Sequence, residues 1–154
     1  MTNMRFNWYG KALLFLLVAS LVKSHETPAQ QSDGKEWIHL FNGKDLSGWQ
    51  MKFHGHPVNE NYKNTFRVED GILKVGYDEY DRFDAAFGHL ITTKSYSHYL
   101  LQVEYRIVGK QCPEAPSWAR KNNGIMLHSQ SAGSMNKDQR FPVSLEVQLL
   151  SGLG

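Results

Sequence analysis

The stretch FRVEDGILKV, residues 66–75, most constrains the architecture. Apolar and polar residues alternate on both sides of Asp70-Gly71. That pair tolerates the positive φ angles that a two-residue turn between antiparallel strands requires. The same pattern recurs along the chain. WIHLF (37–41) and WQMKF (49–53) are separated by NGKDLSG, which carries Asn-Gly and Ser-Gly turn signals. HLITT (89–93), YLLQVEYRIV (99–108), NGIMLHS (123–129) and VSLEVQLL (143–150) read as further strands, with 99–108 the longest. No stretch after residue 37 sustains a helical apolar period, and there is no internal repeat. Short strands with Gly, Asn and Asp turns predict an all-β sandwich or jelly roll of antiparallel sheets.

The first residues follow a different rule. MTNMRFNWYGK carries Arg5 and Lys11, and the apolar run ALLFLLVASLV occupies 12–22. That run is too short to span a bilayer, which takes about 20 residues. A charged stretch ahead of a short apolar one reads as an export signal over residues 1–29, with cleavage expected between 24 and 29. Residues 30–36 are a polar linker, and 37–154 form the domain. No cysteine lies near the apolar run, so no lipid anchor has an attachment point, and no stable membrane anchor is expected after signal removal. Cleavage after Ala29 removes Arg5, Lys11, Lys23 and Glu26, which takes 17 Lys+Arg and 15 Asp+Glu to 14 of each. A domain with no net charge has no electrostatic case for binding nucleic acid. Cys112 is the single cysteine, so no intrachain disulfide is possible. An exported chain with one thiol fits a bacterial periplasmic or extracellular location.

Alternation sorts each strand into two faces. In residues 101–107, Leu101, Val103, Tyr105 and Ile107 oppose Gln102, Glu104 and Arg106. In 143–149, Val143, Leu145, Val147 and Leu149 oppose Ser144, Glu146 and Gln148. In 124–130, Ile125, Leu127 and Ser129 oppose Gly124, Met126, His128 and Gln130. A polar face bearing Glu104, Arg106, His128, Glu146 and Gln148 follows if these strands are neighbours. Antiparallel sheets commonly have one solvated face, and alternation alone favours that reading. The composition points the other way: the face has no Lys and combines two Glu with Arg, His and Gln. Paired carboxyl groups in unlike surroundings can divide acid and base roles.

Two long loops, 109–122 and 130–142, are long enough to overhang a site. Trp118, in the first, offers an indole face to a sugar ring, or else plugs the loop from beneath. His54-Gly55-His56 offers two imidazoles but no third ligand, so no metal site is assigned. No GxSxG, P-loop, CxxC or HExxH is present.

Taken in order, LFNGKDLSGWQ, FRVEDGILKV, HLITTKSYSHYLLQVEYRI, NNGIMLHSQ and FPVSLEVQLLSG resemble the successive blocks of the bacterial 3-keto-disaccharide hydrolase family. Its members are also described as 3-keto-glucoside 1,2-lyases and 3-keto-2-hydroxy-glucal hydratases. The resemblance covers roughly 37–154. It implies a concanavalin-like jelly roll of two antiparallel sheets and a substrate sugar already oxidised at carbon 3. That ketone acidifies the hydrogen at carbon 2, so elimination across carbons 1 and 2 and then hydration cleaves the glycosidic bond. No cofactor or metal is required, because the substrate's own carbonyl takes up the electrons. Carried onto this chain, Glu146, Glu104 and His128 are the catalytic candidates. Arg106, Gln148, Asn123, Trp118 and Gln130 are the substrate-binding candidates. Family domains continue past the strand ending at Leu150, so the resemblance also implies an incomplete C-terminus. Two other functions share the fold class. One is a non-catalytic carbohydrate-binding module. The other is a glycosidase with two carboxyl groups about 5–5.5 or about 6.5–9.5 Å apart acting on an unoxidised sugar.

Overall fold

The computed structural model describes residues 37–150. The signal assigned to 1–29, the linker at 30–36 and the last four residues lie outside them. The described chain is all-β, with six strands in three antiparallel pairs. No helix among the described residues is long and apolar enough to cross a membrane.

The hairpin follows the sequence closely. Strands β2 (Phe66–Glu69) and β3 (Ile72–Val75) meet at the pair Glu69–Ile72. Asp70 and Gly71 turn the chain with φ of 51° and 75°. Two left-handed residues give the turn a twist that matches that of the strands it joins.

Strand β1 (Trp49–Phe53) pairs with β4 (Gly88–Thr92). The two faces of this ladder have different partners. Phe53, fully buried, lies opposite Gly88. A Cβ at residue 88 would lie within 2.7 Å of the Phe53 ring, so the ladder needs glycine there. The Phe53 ring packs on Phe66 at 5.4 Å and Tyr62 at 6.1 Å. Tyr62 meets Tyr80 edge-on at 5.7 Å, and the Tyr80 hydroxyl shares a 2.5 Å hydrogen bond with Thr65. This aromatic cluster is the main core, and the phenol bonded to Thr65 satisfies the polar atoms it buries. Burial pushes the Tyr80 pKa up.

On the other face, Lys52 stands directly opposite His89. Lys52 is 1% exposed. Its ammonium donates to the carbonyls of Phe53 (2.6 Å), His56 (3.1 Å) and Lys137 (2.8 Å). Three carbonyls replace its hydration shell, which is how a buried cation without a carboxylate partner is tolerated. Desolvation lowers its pKa, and Asp138 opposes that shift. The Lys137 carbonyl also accepts from the Gly55 N–H at 2.9 Å, and His89 Nε2 donates to the Arg140 carbonyl at 2.7 Å. The 130–142 loop is therefore fastened to the β1–β4 ladder. Ala132, Met135 and Pro142 are buried along it.

Strand β5 (Asn122–Leu127) pairs with β6 (Leu145–Leu150). Two expected strands do not form. Residues 38–41 are irregular, although the Leu40 carbonyl accepts the Trp49 indole N–H at 2.9 Å. Residues 99–108 form no ladder either. Their apolar positions Leu101, Val103 and Tyr105 are exposed, Tyr105 by 56%. Alternation prepares a strand, but only a neighbouring strand supplies the hydrogen bonds and the cover for its apolar face.

Candidate active site

The register of β5–β6 sets the polar face. Gly124 pairs with Gln148 and Met126 with Glu146, so these four positions share a face, as alternation predicts. Gly124 is what lets Glu146 lie flat across it. A Cβ at residue 124 would fall on the carboxylate, with Cδ and Cγ of Glu146 only 2.8 and 2.9 Å away. A glycine inside a strand commonly marks such a close approach.

Gln148 lies beside it. Its amide donates to Asn122 Oδ1 and to the Asn123 carbonyl at 2.8 Å. Asn122 in turn donates to the Trp118 carbonyl at 2.9 Å, which ties the strand to the short 3-10 turn Ser117–Ala119. Asn123 accepts from the Gly124 N–H through its side chain. Gln148 and Asn123 are thus held in place by the strand, with Gln148 Oε1 free of partners among the described residues.

Trp118 is packed against a neighbouring ring and still open to solvent. Its ring lies parallel to Phe87, at 7° and 6.2 Å between centroids, and yet it is 57% exposed. Phe141 packs on the same Phe87 at 4.9 Å, and the Arg140 guanidinium sits 5.7 Å from that ring. Segments 83–87, 117–119 and 140–141 thereby form one partly exposed aromatic surface. Such a surface suits the CH faces of a sugar ring.

The remaining candidates are placed differently. His128 does not continue the alternation of β5. The strand ends at Leu127, and His128 turns with φ of 49°. Its ring lies 5.5 Å from that of Tyr99. Gln130 organises its own loop: Oε1 accepts from Gln139 and from the Val143 N–H, both at 2.8 Å. Glu104 and Arg106 lie in the exposed, irregular 99–108 segment and make no hydrogen bond or ion pair among the described residues. They do not join Glu146 through a shared ladder, because 99–108 is not paired. His56 is engaged with Glu60 at 2.6 Å and packs on Tyr62.

Sequence reasoning missed His89, Phe87 and Phe141. His89 joins the aromatic surface, 5.9 Å from the Phe141 ring. Burial pushes its pKa below the usual imidazole value; the Arg140 carbonyl opposes this, Lys52 adds to it, and the Glu146 charge opposes it. The available signal was a histidine sharing a strand face with Ile91, which is too common to single out. An open hollow of about 510 Å³, lined by Lys44, Asp45, Arg67 and Glu69 among others, shares no residue with this face.

The described chain is all-β, with a strand-borne carboxylate and a partly exposed aromatic surface. Residues 36–154 match the 3-keto-alpha-glucoside-1,2-lyase-like domain, and the chain belongs to that family. No curated protein and no solved structure matches it.

Proposed function

We propose that the chain is an exported enzyme that cleaves 3-keto-glycosides by elimination across carbons 1 and 2 and then hydration. The observation that carries this reading is the Glu146 carboxylate, laid open along the β5–β6 face by Gly124. The ketone at carbon 3 makes the carbon 2 hydrogen acidic. Glu146 removes that proton, the electron pair forms the carbon 1–carbon 2 double bond, and the glycosidic oxygen departs. Water then adds to carbon 1 of the enone, carbon 2 is reprotonated, and 3-keto-glucose is released. Trp118 and its aromatic neighbours bear the sugar or the leaving group, and Gln148 Oε1 accepts from a hydroxyl. Arg5, Lys11 and the apolar run behind them support export with signal removal. Amino-terminal sequencing of the mature protein is expected to start between residues 25 and 30, and a mature chain that keeps Met1 refutes export.

The reaction is tested in heavy water with a 3-keto glucoside and its parent glucoside. The expected result is turnover of the keto sugar alone, with deuterium at carbon 2 of the product beyond an enzyme-free control. Glu146→Gln keeps the shape, removes the base and is expected to lower turnover about 10²–10⁴-fold. Equal cleavage of the parent glucoside, without label, identifies an ordinary glycosidase. The exposed Trp118–Phe87 stack favours a second reading, a sugar-binding module, which binding of both sugars without cleavage would establish.

A further inference from the structure

The polar strand face and the aromatic surface offer a glycoside different things. The first carries Glu146, Gln148 and Asn122, a carboxylate and two amides of the kind that bond sugar hydroxyls. The second carries Phe87, Trp118 and Phe141, with the Arg140 cation against Phe87. We propose that the aromatic surface is the subsite for the leaving group and takes a flat aryl aglycone bearing a carboxylate; this rests on the reaction proposed above. Asn122 joins the two regions. Its Oδ1 accepts from Gln148 on the Glu146 face, and its Nδ2 donates to the Trp118 carbonyl at 2.9 Å. Asn122 stands four residues along β5 from Met126, the partner of Glu146. At the rise of a strand that is about 13 Å, the reach of a glucose ring with an aromatic ring attached. With a glucose ring over Glu146, an aglycone directed along β5 meets Trp118.

Rings and charge together select the aglycone. Trp118 and Phe141 are packed on Phe87 at 6.2 and 4.9 Å, yet they stay 57% and 47% exposed. They leave ring faces open to a further aromatic ring, which stacks offset or edge-on. A second sugar would instead need placed polar partners for its hydroxyls. Asp84, the acidic residue of segment 83–87, is turned to Arg82 at 3.9 Å. The Arg140 guanidinium stands 5.7 Å from the centre of the Phe87 ring. It is exposed and makes no ion pair among the described residues. A guanidinium is a planar fork that a carboxylate fits with two parallel bonds. The step balances with Glu146 as base. Glu146 takes the carbon 2 proton, the electron pair forms the carbon 1–carbon 2 double bond, and the aryl oxygen leaves with its bonding pair as a phenolate, which takes a proton from solvent. Water then adds to carbon 1 and gives a proton to solvent, and Glu146 returns its proton to carbon 2.

The test uses the full-length protein and three 3-keto glucosides, with 4-carboxyphenyl, phenyl and methyl aglycones. The wild-type KM is expected to be lowest for the carboxyphenyl glucoside and highest for the methyl one. Arg140→Gln is expected to lower the carboxyphenyl-to-phenyl ratio of kcat/KM about three- to tenfold, through KM. Arg140→Lys, which keeps the charge and loses the fork, is expected to fall between. Trp118→Leu is expected to lower the phenyl-to-methyl ratio about three- to tenfold, and Trp118→Phe to restore most of it. A ratio within one variant cancels any loss from misfolding. Binding of free 4-hydroxybenzoate, followed by ligand-observed NMR, gives a readout without catalysis. It is expected in wild type and expected to weaken in Arg140→Gln and in Trp118→Leu. Ratios unchanged in both variants, or a lower wild-type KM for the methyl glucoside than for the aryl ones, overturn the subsite and leave the reaction standing. A ratio that changes in Trp118→Leu alone overturns the carboxylate assignment. A wild-type chain inert to all three glucosides that still binds 4-hydroxybenzoate through Arg140 and Trp118 refutes the reaction and supports the subsite. An inert chain that binds no 4-hydroxybenzoate overturns both.

Discussion

The 130–142 loop and the 99–108 segment reverse their expected roles. The first reads as a loop, polar and glycine-containing, and it is fastened. Lys52 and His89 hold its carbonyls, Gln130 and Gln139 bond across it, and Ala132, Met135 and Pro142 are buried. The second reads as the longest strand, yet it makes no ladder and leaves its apolar residues exposed. Order in a segment follows from whether its polar backbone groups and apolar side chains find partners, and pattern alone does not supply them. The rigid loop carries Arg140 and Phe141 to the candidate site. The unpaired segment carries Glu104 and Arg106, and no ladder places them there.

Lys52→Ala is expected to break this contrast most severely. It removes the donor from three carbonyls and leaves a cavity where a side chain is almost fully buried. A loss of about 3 kcal/mol or more is expected in denaturant melts, with faster amide exchange over 130–142. Unchanged exchange there would show that the loop holds by its own contacts. Gln130→Ala removes the acceptor of the exposed Val143 N–H, which water can replace, and is expected to cost about 0.5–1.5 kcal/mol by the same measurement.

His89 adds a pH dependence to the fastening. Its folded pKa is depressed below 6.5, so the unfolded chain binds the proton more readily. The stability this contributes is present above pH 6.5 and is lost as pH falls towards the folded value. Melting midpoints are expected to drop over that acidic window in wild type and to drop less in His89→Gln. The smallest effect belongs to the other region. Val103→Thr, at an exposed position, is expected to change stability by no more than about 0.5 kcal/mol in the same melts. A loss of about 1 kcal/mol or more would mean that Val103 is covered in solution.

The sequence alone determined what depends on near neighbours. Asp70-Gly71 set a hairpin turn because two adjacent residues had to accept positive φ, and they do. Alternation placed Gly124 and Met126 on one face of β5, and Glu146 and Gln148 on one face of β6, because the side-chain period of a strand is two. The family resemblance was legible as well, since it lies in ordered blocks of residues. Tertiary structure decided everything that joins distant segments. Lys52 meets His89 only through the register of β1 with β4, and His89 reaches Arg140 across 51 positions of chain. Phe87, Trp118 and Phe141 form one surface because three loops converge, and no local spacing encodes convergence. The same reason explains the failure at 99–108: a strand is completed by its neighbour, and a segment's own sequence does not say whether one will be there.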